Sequence, residues 1–141
     1  MEDIELARSL FEEEKWNLVI VKGEQVLFSS KEHGVAPFFQ AVQSIGTSLH
    51  NAAVADRIMG LAVAMLCLHA RITSVYAGIA SQGALDMLKG QQVTVSSKDT
   101  VPYICNYDGT DLCPFEKLAG SCQGPSQLLA ALRSLFAKGE Q

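Results

Sequence analysis

The chain has four cysteines, Cys67, Cys105, Cys113 and Cys122, yet no Cys-x-x-Cys pair. No histidine stands at zinc-finger spacing from any of them, since Cys67 and His69 are only two positions apart. The four read as reduced thiols, which predicts a cytoplasmic setting. A secretory signal is also missing. It would open on basic residues before an apolar run, whereas Met1–Glu14 holds six acids against Arg8 alone. The longest apolar run, Ile58–Leu68, lies between Arg57 and His69 and falls short of the roughly 20 apolar residues of a membrane span. Neither Gly-x-Gly-x-x-Gly nor the Walker pattern occurs, so any phosphate signal is weak. Repeats, low-complexity tracts and interdomain linkers are absent as well.

What is present is a chain of 141 residues, 48% hydrophobic and 18% charged, long enough for one domain with its own core and too apolar to be disordered. The net charge of −4 argues against an electrostatic nucleic-acid binder. That acidity is concentrated in the first fourteen residues, and the remainder is close to neutral. An acid-rich stretch of this kind reads as the solvated face of a helix.

Periodicity predicts the elements. Asp3–Glu14 is an amphipathic helix with Ile4, Ala7, Leu10 and Phe11 on one face. Asn17–Val21 and Gln25–Ser29, joined by Lys22-Gly23-Glu24, form an antiparallel hairpin. Val35–Ile45 is a helix with Pro37 in its first turn, followed by a polar linker Thr47–Asn51. Val54–His69, apolar nearly all round, is expected to be one long buried helix. Ile72–Ala77 and Gln92–Ser96 are strands on either side of a helix Ser81–Leu88, with Ser81 as N-cap and Gly90 as stop. Pro102–Asn106 is a candidate further strand. Pro114–Leu118 and Ser126–Phe136 are helices. The order predicts a three-layer α/β domain with a mixed sheet.

Four stretches carry a resemblance. They are Val54-Ala55-Asp56-Arg57-Ile58-Met59-Gly60, Val75-Tyr76-Ala77-Gly78, Val101-Pro102-Tyr103-Ile104, and Asp108-Gly109-Thr110-Asp111-Leu112-Cys113-Pro114-Phe115-Glu116-Lys117-Leu118. Together they resemble the DUF1893 family of bacterial and archaeal proteins, over about residues 17 to 135. The resemblance implies a cytidine-deaminase-like fold for residues 16–138, with residues 1–15 as an added acidic helix. Zinc deaminases carry His-x-Glu at one helix start and Pro-Cys-x-x-Cys at the next. Aligned through the expected helices, those motifs fall on Val54-Ala55-Asp56 and Ala80-Ser81-Gln82-Gly83, where the His and both Cys ligands are missing and Asp56 is a shorter carboxylate than the Glu. The resemblance therefore implies a fold and a site location without zinc, and no cofactor is expected.

The candidate site residues follow. Asp56, expected at a helix start where the dipole favours its charge, is an acceptor for a ligand hydroxyl or amine, or a general base. A plain helix-start carboxylate is the competing reading, and Arg57 beside it adds a cation. Cys113 is expected as N-cap of the Pro114 helix with Glu116 closing a capping box, and a thiol there can be nucleophilic. Asp56 and Cys113 are thus the catalytic candidates. Asp108, Gly109 and Thr110 form a polar turn that can hold a ligand, and Ser81 and Gln82 open a helix after a strand end. The leading expectation is a zinc-free domain binding a small polar ligand, a nucleotide by fold analogy. The alternatives are an interaction or regulatory protein with a vestigial pocket, self-associating through apolar helices as a homo-oligomer, and a metal-free enzyme using Asp56 or Cys113. Neither nucleic acid nor membrane is an expected partner.

Overall fold

The computed structural model describes residues 1–139. Its centre is a five-stranded mixed sheet in the order β2-β1-β3-β4-β5. Strands β1 (Leu18–Lys22) and β2 (Gln25–Ser30) form the expected antiparallel hairpin. Gly23 and Glu24 both take positive φ, 60° and 64°, as a two-residue turn matched to strand twist requires. Asp3 clamps that turn, accepting the N–H groups of Gly23 and Glu24 at 2.9 Å each. The clamp joins the first turn of helix α1 (Asp3–Glu14) to the hairpin.

The principal departure from the sequence expectation lies in residues 54 to 69. They form a strand, β3 (Ala53–Met59), then Gly60, then helix α3 (Leu61–His69), and not one long helix. A strand covered on both faces and a buried helix are both continuous apolar runs, so periodicity does not separate them. Position in the sheet decides. β3 pairs antiparallel with β1 and parallel with β4 (Ser74–Ser81), and without it those strands would have no neighbour in common. β4 pairs parallel with β5 (Thr94–Val101).

Two faces of this sheet are covered unequally. On one, Val19, Val21, Ala55 and Tyr76 receive Ala7 and Phe11 of α1. On the other, Ile20, Val54 and Val75 meet the larger core. That core is built by α3 with α2 (Ala36–Ile45), α4 (Gln82–Gly90), α5 (Pro114–Ser121) and α6 (Pro125–Gly139). The polar linker after α2 is wound into a 3-10 turn, Gly46–Leu49, which buries Leu49. Ser81 caps α4 as expected, accepting the Ala84 N–H at 3.2 Å. Pro102–Asn106 is no strand. It contributes only an isolated bridge, Cys105 to Leu112, in a loop between β5 and α5. Among the described residues no helix is long and apolar enough to cross a membrane.

Phe11 is the anchor of α1. Its ring lies edge-on to Tyr76 at 6.1 Å and under the Arg57 guanidinium at 4.2 Å. Replacing Phe11 with Ala is expected to lower stability by about 3–5 kcal/mol, the usual cost of emptying a buried aromatic site. Urea denaturation checks this. A loss below about 1 kcal/mol would mean that α1 contributes little to the folded state.

Candidate functional site

Strand geometry assigns Asp56 and Arg57 to different sites. Successive strand residues point to opposite faces, so Asp56 shares a face with Val54 and Arg57 shares one with Ala55. Asp56 therefore enters the larger core beside α3. Arg57 turns toward α1, donating from Nη2 to the Trp16 carbonyl at 2.8 Å and from Nε to Asn17 Oδ1 at 3.2 Å. The pair expected at one helix start is instead a strand pair, one on each side of the sheet.

Asp56 borders a cavity of about 160 Å³ at the carboxyl end of β3. Its walls come from five segments: Asn17 and Leu18 at the start of β1, residues 32–35 before α2, residues 56–58 and Gly60 with Ala62 and Val63 of α3, Ile104 and Cys105 of the β5–α5 loop, and Cys113, Phe115 and Glu116 at the start of α5. Three acidic residues, Glu32, Asp56 and Glu116, thus border one small space, the last two from buried positions. Asp56 is only 8% exposed, and burial pushes its pKa up to about 7. The backbone N–H groups of Arg57 and Ile58, and the Arg57 charge, pull the other way. The neighbouring Cys67 thiol is raised far above its usual value, chiefly by burial and secondarily by the Asp56 charge, so it is inert.

Glu116 does something the sequence did not suggest. No capping box closes on its own helix. Cys113 is the N-cap of α5 and Pro114 its first residue, but the thiol makes no capping bond. Only the Cys113 carbonyl serves the helix, accepting the N–H groups of Glu116 at 2.9 Å and Lys117 at 3.1 Å. The Glu116 carboxyl reaches instead to the start of α3, where the N–H groups of Leu61 and Ala62 pull its pKa down against a larger upward push from burial. The reason lies at Gly60. As N-cap of α3 it has no side chain to offer, and a Cβ there would overlap Glu116 Oε1. The vacated volume is filled by a carboxylate from another helix, which supplies the acceptor a buried helix start needs.

The other sequence candidates lie outside this cavity. Ser81 is buried in its capping bond, and Gln82 is exposed, donating to Asp86 Oδ1 at 2.9 Å. Asp108, Gly109 and Thr110 form a turn closed on itself. Asp108 Oδ1 accepts the Thr110 hydroxyl at 2.6 Å and its N–H at 3.2 Å, and Gly109 takes φ 74°. Those bonds hold the Asp108 carboxyl below its ordinary value. Asp111 pairs with Lys117 across the same loop. His50 lies in a separate depression with His69, whereas His33, not singled out from sequence, lines the cavity. Gly60 before an apolar helix was the available signal for Glu116: a buried helix without a capping side chain must borrow one. Among the described residues no group of three or more His, Cys, Asp or Glu is placed to hold a metal ion.

Two outcomes are expected. Gly60→Ala should destabilise the protein by about 1–3 kcal/mol through overpacking. That cost should shrink in a Glu116→Ala background, giving a double-mutant coupling of about 1 kcal/mol or more; strict additivity would separate the two residues. The second concerns pH. The unfolded Asp56 carboxyl titrates near 4, the folded one near 7. Between those values the folded state binds more protons, so stability falls as pH rises through the window and levels off above it. At about 1.4 kcal/mol per pH unit across that window, the fall amounts to a few kcal/mol. Asp56→Asn should flatten most of it, and Glu116, also raised, accounts for a remainder. Denaturation midpoints at pH 4.5 and pH 8 read the difference, and an unchanged slope in the variant would remove Asp56 as its source.

A family model described as a domain of unknown function, DUF1893, matches residues 6–136. The fold is similar to the crystal structure of a DUF1893 family protein from Thermotoga maritima, with 26% sequence identity and a TM-score of 0.85, covering 96% of this chain and 93% of that one. No curated protein matches the chain.

Proposed function

The chain belongs to the DUF1893 family, and from the cavity at the end of β3 we propose that it is a zinc-free, deaminase-like domain that binds a small polar ligand of nucleobase or nucleoside type. The carrying observation is Asp56, a buried carboxyl with a pKa near 7 facing a cavity whose other buried carboxyl, Glu116, is committed to the start of α3. At neutral pH such a group exists in both protonation states. It can accept from a ring N–H or exocyclic amine, or donate to a ring nitrogen. The cavity is small for a whole nucleotide, and its three acidic residues oppose a phosphate inside it. A ring therefore enters, and anything larger stays at the mouth beside His33.

The deaminase-like reading of the fold is supported by a hairpin followed by helix, strand, helix, strand, helix and strand, with β1 antiparallel beside β3. With the elements as they stand, the two helix starts that carry zinc ligands in deaminases correspond to residues 31–35 before α2 and to Gly60–Val63 at α3. They do not correspond to Val54–Asp56 or Ala80–Gly83. One imidazole, His33, falls in the first segment and no thiol in the second, so the donor set does not match a zinc deaminase. Asp56 has the pKa of a general acid–base, which keeps a metal-free reaction within the same reading.

An interaction protein is the second reading. It is favoured by an apolar groove between α5 and α6 at Phe115, Leu118 and Leu135, the last 47% exposed. A thermal-shift panel of nucleobases and nucleosides separates the two. At 100 times its dissociation constant a ligand adds about 2.7 kcal/mol of apparent stability. The expected result is a rise in Tm with one member of the panel that disappears in Asp56→Asn. No shift with any member would sink the ligand reading and leave the interaction protein.

A further inference from the structure

The opposite side of the sheet holds a second, chemically contrary site, separated from the Asp56 cavity by β3, whose Arg57 borders both. A groove there is lined by Arg8 of α1, Lys15 at the C-cap of that helix, Arg57 of β3 and Lys98 of β5, and its one acidic lining residue is Glu12. In a chain of net charge −4, four cations around one carboxylate is a concentration against the average. The floor is formed by the Tyr76 ring and by Gly78, where the Arg57 backbone carbonyl comes so close that a Cβ would lie 2.8 Å from its oxygen, so glycine lets β3 carry Arg57 against β4. Ser96, the register partner of Tyr76 on β5, adds a hydroxyl.

The two arginines are held rather than trailing. Arg8 lies over the Tyr76 ring at 4.3 Å and Arg57 over the Phe11 ring at 4.2 Å, and those rings pack edge to face. One aromatic pair thereby fixes two like charges in one groove, an arrangement that an anion between them would relieve. Arg57 turns Nε and Nη2 to Asn17 and Trp16, and among the described residues its Nη1 edge makes no hydrogen bond. Arg8 commits Nε to Glu12 at 3.0 Å, and its outer nitrogens make no hydrogen bond among the described residues. Planar guanidinium forks with uncommitted N–H groups suit the oxygens of a phosphoryl group. We propose that this groove binds a phosphate-bearing small molecule, through Arg8 and Arg57 with Lys15 and Lys98 at the rim.

The probes are inorganic pyrophosphate, orthophosphate and a simple phosphate monoester, titrated into the full chain at low salt and followed by calorimetry and backbone NMR. Pyrophosphate should bind, with shifts at Arg8, Tyr76 and Ser96. Binding by the ester as tight as by pyrophosphate assigns the groove to a phosphorylated metabolite; pyrophosphate alone assigns it to the free anion. Arg8→Gln should weaken binding about tenfold, equivalent to about 1.4 kcal/mol. Glu12→Gln should tighten it, a gain that a merely structural Arg8–Glu12 pair would not produce. Lys89→Gln, on the other side of the sheet, and Asp56→Asn should leave it unchanged, so failure here is distinct from failure at the cavity. No binding of any probe to the native chain would overturn the proposal. So would equal weakening by Arg8→Gln and Lys89→Gln, or tight binding of a single-stranded oligonucleotide that pyrophosphate fails to displace.

Discussion

A carboxylate seated on the start of a buried helix is the constraint from which the functional end of the molecule follows. Helix α3 is buried from Ala62 to Cys67, and its first N–H groups point to an N-cap, Gly60, that has no side chain. Water is not at hand to satisfy them, and leaving them unpaired is costly. Glu116 answers from α5. For its carboxyl to arrive, the start of α5 must lie against the β3–α3 junction, and Pro114 fixes where that helix begins. Cys113 is then drawn to Ile104, whose carbonyl accepts its N–H at 3.0 Å, and the β5–α5 loop folds over the end of the strand. The cavity is what remains between that loop, α3 and Asp56.

β3 divides the chemistry of the molecule. Asp56 and Arg57 are consecutive, yet the pleat sends the acid into the larger core and the base toward α1. Had both pointed one way, a close ion pair would hold the carboxyl low. Because the guanidinium is on the far face, its attraction is the weakest of the influences on Asp56, and desolvation prevails. The raised pKa is thus a consequence of strand alternation.

The parts of the fold legible in the sequence are those where local chemistry is unambiguous. α1 has a sharp apolar stripe opposite acids, the hairpin has Gly23-Glu24 between two apolar runs, and Ser81 stands where a cap must stand. The failure was at Val54–His69, where Ala, Val and Met fit a central strand as well as a buried helix and only Gly60 marks the join. The expected helix start at Val54–Asp56 is therefore the middle of a strand, and the helix begins at Leu61. Of the candidate residues, the fold brings Asp56 and Cys113 to one cavity and Arg57 to its border. It leaves Ser81, Gln82, Asp108, Gly109 and Thr110 in local bonds or on the surface. Glu116 escaped notice because Cys-Pro-Phe-Glu is a plausible self-contained helix start. Its true partner is more than fifty residues away, and only the sheet brings them together.

The two sides of the sheet treat charge in opposite ways, and each treatment follows from what covers it. Toward α3 the cover is apolar, Phe38, Phe39 and Phe115 included, so a carboxyl is tolerated only by taking up a proton, as Asp56 does near neutrality, or by finding a helix start, as Glu116 does. Toward α1, Phe11 of the helix and Tyr76 of the sheet present ring faces that hold guanidinium groups without neutralising them. An anion is therefore disfavoured at the first surface and favoured at the second, and a cation or N–H donor the reverse. The two covers differ in the charge they bring: α5 brings the Glu116 carboxyl to the Asp56 side, and α1 brings the Arg8 guanidinium to the Arg57 side.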